Sequence, residues 1–290
     1  MSSRPSAAES QFPRKWKKGG VSEERAVGRW AFFGGSFDPP HLGHLAVARA
    51  ARTALRLDTV LFAPVGAQPL KAGGAAASFA DRVAMTRLAI ADEPGFALSL
   101  VDAPQPDGAP NYTLATLLKL RAELSIRPSN LVAASHSSRT ERGMNGAQDI
   151  CDLSPIPHNE LFFLMGADSF ASLKHWRQGA AIPFAAALIV ASRPGARLDD
   201  LQAALPAGVM IDAPPDAPPD ATIQRYQLRN PAGDRANFYL LPWLEVEISA
   251  TEIRERIRRQ ISQSGEGKSR EGEFLPAPVS DYIRAHGLYQ

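Results

Sequence analysis

A single cysteine, Cys151, stands among 290 residues, so the chain can form neither an internal disulfide nor a CxxC zinc site. A reducing, cytoplasmic setting fits. Long apolar runs are missing as well. The longest, around Ala180–Ala191, is broken by Pro183 and falls short of the roughly 20 residues that a membrane span needs. Nor is there a basic excess on the body of the chain to hold nucleic acid. The formal charge is +2, yet residues 1–29 carry seven Lys and Arg against three Glu, a local +4 that leaves −2 for the remainder, the wrong sign for a nucleic-acid surface. That leader lacks the apolar stretch of a secretory signal, its glutamates speak against a transit peptide, and it reads as a disordered basic tail. The signatures GxGxxG and GxxxxGK(S/T) are both absent, which argues against a dinucleotide dehydrogenase and against a P-loop enzyme.

What is present is an alternation. Short runs rich in Val, Leu and Phe at Trp30–Phe33, Thr59–Val65, Ala97–Val101, Leu161–Met165, Ala186–Ala191 and Phe238–Leu241 have the length and composition of buried strands. Helical patterns at Leu42–Leu55, Phe79–Ala91, Tyr112–Leu124 and near Leu198–Leu205 lie between several of them. Strand and helix in turn predict an α/β fold, a doubly wound and mainly parallel sheet with helices on both faces. Ligands of such sheets bind beyond the carboxyl ends of the strands, at the point where the strand order reverses. The expected organisation is one domain over 30–290, with an insertion at 125–160 and a low-complexity linker at 262–273 before a last helix.

One stretch concentrates chemistry at such a strand end: FFGGSFDPPHLGHLAVARA, Phe32–Ala50. The expectation is that the first strand ends at Phe33, that Gly34 and Gly35 form the turn, and that a helix starts near His41. Glycine there lets backbone N–H groups approach a bulky anion, and the helix start adds partial positive charge, which suits a phosphate. His41 and His44, three apart, share one face of the first helical turn, with Gly43 between them. Elsewhere, Ser249 in ISATEIRERI is a good N-cap, and Glu252 three residues on predicts a capping box. MGADSF places Gly166 and Asp168 at the end of the Leu161 strand.

GGSFDPPHLGH resembles the (H/T)xGH signature of the nucleotidylyltransferase superfamily. NYTLATL, FFLMGADSFASLKHW, IVASRPG, ISATEIRERI and VSDYIRAHGLY follow in order, and together they resemble the bacterial nicotinate-nucleotide adenylyltransferase family over roughly residues 30–123 and 160–290. The resemblance implies a Rossmann-like fold and adenylyl transfer from ATP to nicotinate mononucleotide, with Mg²⁺ carried on the ATP. It implies that His41, His44 and Arg254 are catalytic. It further implies that Gly34, Gly35, Ser36, Phe37, Gly43, Gly166, Asp168, Ser249 and Thr251 line the ATP site, with Ser249, Thr251 and Arg254 holding the triphosphate opposite the histidines. Trp176 would stack on the pyridine ring, and Tyr112 and Thr113 would lie near its carboxylate.

The segment after the second strand departs from the family, in which an Asn and a Pro-Pro-His-Lys run are usual. Here Ala67-Gln68-Pro69-Leu70-Lys71 occupies it, leaving Lys71 as a candidate mononucleotide ligand. That departure keeps open a related adenylyltransferase acting on nicotinamide mononucleotide, phosphopantetheine or FMN. His41-Leu42-Gly43-His44 also fits the histidine signature of class I aminoacyl-tRNA synthetases, but no lysine-rich KMSKS-type loop accompanies it. A nucleotide-binding module without catalysis is the remaining alternative.

Overall fold

β1 (Arg29–Gly35) runs through the middle of the sheet, paired in parallel with β2 (Thr59–Pro64) on one side and β4 (Glu160–Gly166) on the other. The computed structural model describes residues 28–66, 74–124, 160–192, 201–213, 223–241, 249–262 and 274–290. β3 (Phe96–Leu98) extends the sheet beyond β2, while β5 (Ala187–Ala191) and then β8 (Arg235–Leu241) extend it beyond β4, all in parallel. β7 (Gln224–Arg229) and β6 (Met210–Ala213) close that edge by antiparallel pairing. The order β3-β2-β1-β4-β5-β8-β7-β6 winds outward from β1, returns to β4 and winds the other way. The strand order therefore reverses between β1 and β4, which marks the crevice where ligands of doubly wound sheets bind. The expected α/β, Rossmann-like doubly wound sheet is the observed one.

Alternation along the strands sorts the core into two layers. Ala31, Phe33, Val60, Phe62, Phe162, Leu164, Ile189, Tyr239 and Leu241 face one side. Against them pack α1 (Leu42–Ala54) through Leu45, Ala48 and Ala51, α2 (Phe79–Ala89) through Met85, α7 (Ala250–Ser262) through Ile253 and Ile257, and α8 (Ala277–Ala285) through Val279 and Ile283. Trp30, Phe32, Leu61, Phe163, Met165, Leu188, Val190 and Phe238 face the other side, under α3 (Thr113–Glu123), α4 (Ala167–Ser172) and α5 (Ile182–Ala185). A sheet covered on both faces needs apolar residues at successive positions, which is why the central strands read as unbroken hydrophobic runs.

The edge departs from the sequence expectation. β7, QRYQLR, is polar and half-exposed, and β8 begins three residues before the expected run, at Arg235. At a sheet edge one face and one row of backbone groups meet solvent, so the apolar signal thins out. Gly34 and Gly35 also differ from expectation. Both remain in β1, opposite Ala63 and Pro64, and the turn is made by the residues after them. Their absent side chains matter for space: a Cβ on Gly34 would come within 2.8 Å of the Phe32 ring, and one on Gly35 within 3.3 Å of the Phe37 ring.

Most of the expected leader, of the 125–160 insertion and of the 262–273 linker lies outside the described residues. Their edges do not: Arg29 belongs to β1, Glu160 opens β4 and Ser262 closes α7. The helix expected near Leu198–Leu205 is α6 (Leu201–Ala204). Among the described residues no helix is long and apolar enough to cross a membrane.

Phe62 has no exposed surface and packs its ring on Phe33, Phe37 and Phe96 at centroid distances of 5.3, 5.5 and 5.2 Å. Phe62→Ala should cost about 3–5 kcal/mol of folding free energy, read from the shift of a urea unfolding midpoint.

Candidate active site

The chain leaves β1 through Ser36–Pro40, a segment without helix or strand in which Phe37 takes a left-handed backbone, φ 47°. A phenylalanine in that region is strained, and packing on Phe33 and Phe62 holds it there. Phe37 is buried at 2% exposure, so only its backbone can meet a nucleotide; the side chain belongs to the core. Its ring packs against the His44 ring at a centroid distance of 4.9 Å and an angle of 65°.

His41 is the N-cap of α1 and His44 its third residue. Their rings lie 3.8 Å apart at 35°, with His41 buried and His44 half-buried. The His41 backbone N–H donates to His44 Nδ1 at 3.2 Å. In neutral His44 that acceptor role puts the ring proton on Nε2, which leaves a donor at the far side of the ring. Gly43 lies buried between them.

Arg254 is carried to this loop by α7. Ser249 caps that helix as expected, accepting from the Glu252 backbone N–H at 3.1 Å. One oxygen of the Glu252 carboxylate pairs with Arg256 at 2.7 Å, one helical turn on. Arg254 Nη1 donates to the Asp38 carbonyl at 2.7 Å and Nη2 to Thr251 Oγ1 at 3.1 Å. The histidine turn and the start of α7, 216 positions apart in the chain, are thereby tied by one hydrogen bond.

Asp38 was not singled out in the sequence, yet its carboxylate gathers three donors. Its Oδ2 accepts from the Ala76 N–H at 2.6 Å, and its Oδ1 accepts from the Ala77 N–H at 3.0 Å and from the Tyr289 hydroxyl at 2.8 Å. The buried Arg82 guanidinium donates to the Ser36 carbonyl at 2.7 Å. Burial pulls the Arg82 guanidinium down from its usual value, against the pull of Asp38 and Tyr289. Burial also drives the Tyr289 phenol well up, and Asp38 pushes the same way, so the hydroxyl stays protonated and can only donate to the carboxylate. A signal for Asp38 was available, since a carboxylate inside an otherwise apolar SFDPP turn needs buried donors. For Tyr289 and Arg82 the sequence carries none, because their partners are distant in the chain.

The second lobe lies across the sheet. A cavity of about 440 Å³ is lined by Gly34 and Gly35, Phe32 and Phe163 at its floor, Asn111, Tyr112 and Thr113 at the start of α3, and Trp176. Trp176 combines core and site roles: it lies near Phe163 at 6.2 Å, its Nε1 donates to Ser172 Oγ at 3.0 Å, and it lines the cavity. Arg177 lays its guanidinium on the Tyr112 ring at 4.6 Å and borders the same space with His175. Neither was anticipated. Asn111 Nδ2 donates to the carbonyls of Asp102 and Ala103 at 2.6 and 2.8 Å, fixing the approach to α3.

Gly166 is the N-cap of α4 and an added Cβ there would meet nothing within 4 Å, so it borders open space at the end of β4. Asp168 sits exposed in the first turn of that helix. Lys71 lies outside the described residues. Of the expected residues, then, the fold gathers His41, His44, Ser36, Thr251 and Arg254 around one loop, and Tyr112, Thr113 and Trp176 around one cavity, with Gly34 and Gly35 shared between the two.

Comparison with known proteins bears on this arrangement. Residues 32–256 match the family model described as cytidylyltransferase-like. A protein of Roseiflexus castenholzii named "Probable nicotinate-nucleotide adenylyltransferase" is 32% identical over 269 residues, which cover 91% of this chain and 98% of that protein. One of the same name from Thermus thermophilus is 32% identical over 262 residues, 90% of this chain and 100% of its own length. Among solved structures, a Plasmodium falciparum nicotinic acid mononucleotide adenylyltransferase in complex with NaAD superposes with a TM-score of 0.54 at 14% identity, covering 90% of this chain and 97% of that one. At that identity the likeness speaks for the fold.

Burial raises the Asp102 carboxyl above its usual range, and the hydrogen bond from Thr116 Oγ1 at 2.7 Å works the other way. A carboxyl raised in the folded state contributes stability that is lost as pH climbs from the unfolded value, about 3.9, through the folded one. Asp102→Asn keeps an oxygen for Thr116 and removes that loss. The melting temperature of the variant relative to wild type should therefore rise from about pH 4 to about pH 7, as measured by thermal melts across that range.

Proposed function

The chain belongs to the cytidylyltransferase-like family, and within it to the nicotinate-nucleotide adenylyltransferases, and from that membership we propose that it transfers the adenylyl group of ATP to nicotinate mononucleotide. One observation carries the proposal: the histidine–Arg254 loop starts directly after Gly35, and the Trp176 cavity, built on the other face of the sheet, is lined by Gly34 and Gly35. The first suits a polyphosphate and the second a flat ring.

In the reaction a 5′-phosphate oxygen of the mononucleotide attacks the α-phosphorus of ATP in line. A bond forms between that oxygen and the α-phosphorus, the bond from the α-phosphorus to the bridging oxygen of the β-phosphate breaks, and pyrophosphate leaves. The dinucleotide product is nicotinate adenine dinucleotide. The attacking phosphate is already ionised, so neither a protein nucleophile nor a general base is required. The work of the protein is to align two anions and to offset the charge that grows on the leaving group.

His41 and His44 would donate to phosphate oxygens from the start of α1. Arg254 would add a planar cation with N–H groups beyond the two that anchor it. Ser249 and Thr251 would bring the N–H groups at the start of α7, while Gly43, Gly166 and Asp168 would border the nucleotide. Trp176 would cover the pyridine ring, with Tyr112 and Thr113 at its carboxylate. The ATP enters as its Mg²⁺ salt. The Asp38 oxygens are already engaged by three donors, so the ion would be carried by the triphosphate. The single cysteine is in keeping with a cytoplasmic enzyme.

Incubation with MgATP and each of nicotinate mononucleotide, nicotinamide mononucleotide, phosphopantetheine and FMN, followed by pyrophosphate release, tests the reading. Fastest turnover is expected with nicotinate mononucleotide, and preference for another acceptor would replace the assignment. His44→Ala should keep a cooperative melt, somewhat lowered by loss of the bond from the His41 N–H, and lower kcat by about 10²–10³, the cost of one donor to developing charge. Trp176→Ala should raise KM for the mononucleotide by about tenfold, the scale of one lost aromatic face, and leave KM for ATP close to wild type. Steady-state kinetics with each substrate varied in turn separate the two effects.

A further inference from the structure

Asp38 raises a problem of charge. A buried carboxylate stands 4.0 Å from the Arg254 guanidinium, close enough to draw it into a full ion pair, and an arginine folded onto a carboxylate is lost to phosphate. The geometry stops short of that. Arg254 Nη1 bonds to the Asp38 backbone carbonyl rather than to its carboxylate, and the carboxylate charge is engaged elsewhere, Oδ1 by Ala77 and Tyr289 and Oδ2, the oxygen nearer Arg254, by Ala76. Two of these donors are backbone N–H groups of the segment before α2. The third is a side chain from the turn after α8, 251 positions away in the chain. The Arg82 guanidinium lies on the same loop but gives its bond to the Ser36 carbonyl.

We propose that Tyr289 is a positioning residue for the phosphate site: by donating to Asp38 it draws the carboxylate's charge away from Arg254 and keeps Arg254 directed at the substrate triphosphate. The inference rests on the adenylyltransferase reading for the role of Arg254. A residue remote from both ligands thereby sets the affinity for ATP through Arg254, which it reaches only by way of Asp38.

α8 supplies an internal control. Tyr282 donates to Asp81 on α2 at 3.0 Å, so it anchors the same helix without involving Asp38. Tyr282→Phe and Tyr289→Phe each delete one hydroxyl from this part of the fold and keep the ring. Tyr289→Phe, whose hydroxyl is buried against a buried carboxylate, should cost the more stability, and only it should touch ATP.

Calorimetry with MgATP alone, at a temperature below every melting transition, provides the readout and does not depend on which acceptor the enzyme uses. Tyr289→Phe should weaken ATP binding by about tenfold, the scale of one hydrogen bond to a charged group, with binding of nicotinate mononucleotide unchanged. Tyr282→Phe should bind both as wild type does. In an Arg254→Gln background the Tyr289→Phe effect should vanish, since nothing remains to be redirected. Asp38→Asn in the Tyr289→Phe background removes the charge that would draw Arg254 and should restore ATP affinity, and it decides the matter alone if the Phe variant has no cooperative melt. Wild-type ATP affinity in Tyr289→Phe, equal loss of both substrates, or the same loss with Arg254 absent would each overturn the role of Tyr289. A wild type that binds ATP yet transfers nothing to any acceptor would instead sink the proposed reaction and leave this one standing.

Discussion

The site depends on one stretch of backbone that carries no side chains. Gly34 and Gly35 end the central strand at the point where the sheet reverses its winding, and their alternate positions face opposite layers of the core: the missing Cβ of Gly34 leaves the Phe32 ring in place, that of Gly35 the Phe37 ring. A side chain at Gly34 would have to displace the Phe32 ring, and one at Gly35 would press on the Phe37 ring, both rings being 2% exposed. Because both positions are bare, a loop built on the α1 face and a cavity built on the α3 face can share one border. Two ligands that must touch can then be held by two sets of residues that do not.

Each set is held in place by the core beneath it. His44 packs against the Phe37 ring, and Phe37 is fixed between Phe33 and Phe62; Trp176 lies near Phe163 and is pinned through Ser172. These rings belong to the two hydrophobic layers, so the stability of the sheet and the aim of the site side chains come from the same contacts. A phosphoryl transfer without a protein nucleophile gains mainly from such fixed geometry, since electrostatic stabilisation counts most when the donors need not reorganise.

The central fold was legible because both faces of the sheet are covered: β1, β2, β4 and β5 read as continuous apolar runs, and α1, α2 and α3 lie within two residues of their expected limits. The edge was not, since β7 and the start of β8 spend half their side chains on solvent. Within the site, local signals were read correctly in kind. The paired histidines fall at a helix start and Ser249 caps α7. What stayed hidden was long-range: Asp38 to Tyr289, Arg254 to the Asp38 carbonyl, Arg82 to Ser36. Periodicity and capping report on neighbours within a turn or two, whereas these bonds exist only after the sheet has brought α2, α7 and α8 to one side. The glycine pair was misread as a turn for a related reason. Its strand pairing with Ala63 and Pro64 is set by β2, and no local rule distinguishes a bare strand end from a bend.

The distribution of charge around Ser36–Pro40 follows from where each group sits relative to solvent. Two arginines reach the loop, and both give their bonds to backbone carbonyls, Arg82 to Ser36 and Arg254 to Asp38. Arg82 is sealed at 2% exposure, so its charge is spent inside the protein, balanced against Asp38. Arg254 keeps a fifth of its side chain in contact with solvent, 20% exposed, and Thr251 steadies it without neutralising it. One carboxylate therefore stands beside two cations and fully satisfies neither by direct contact. The arrangement leaves the inner arginine to hold the loop and the outer one with attraction to spare for an incoming anion. Had Asp38 fewer backbone and hydroxyl donors, the same three charges would close on each other, and the loop would be better neutralised and worse at binding phosphate.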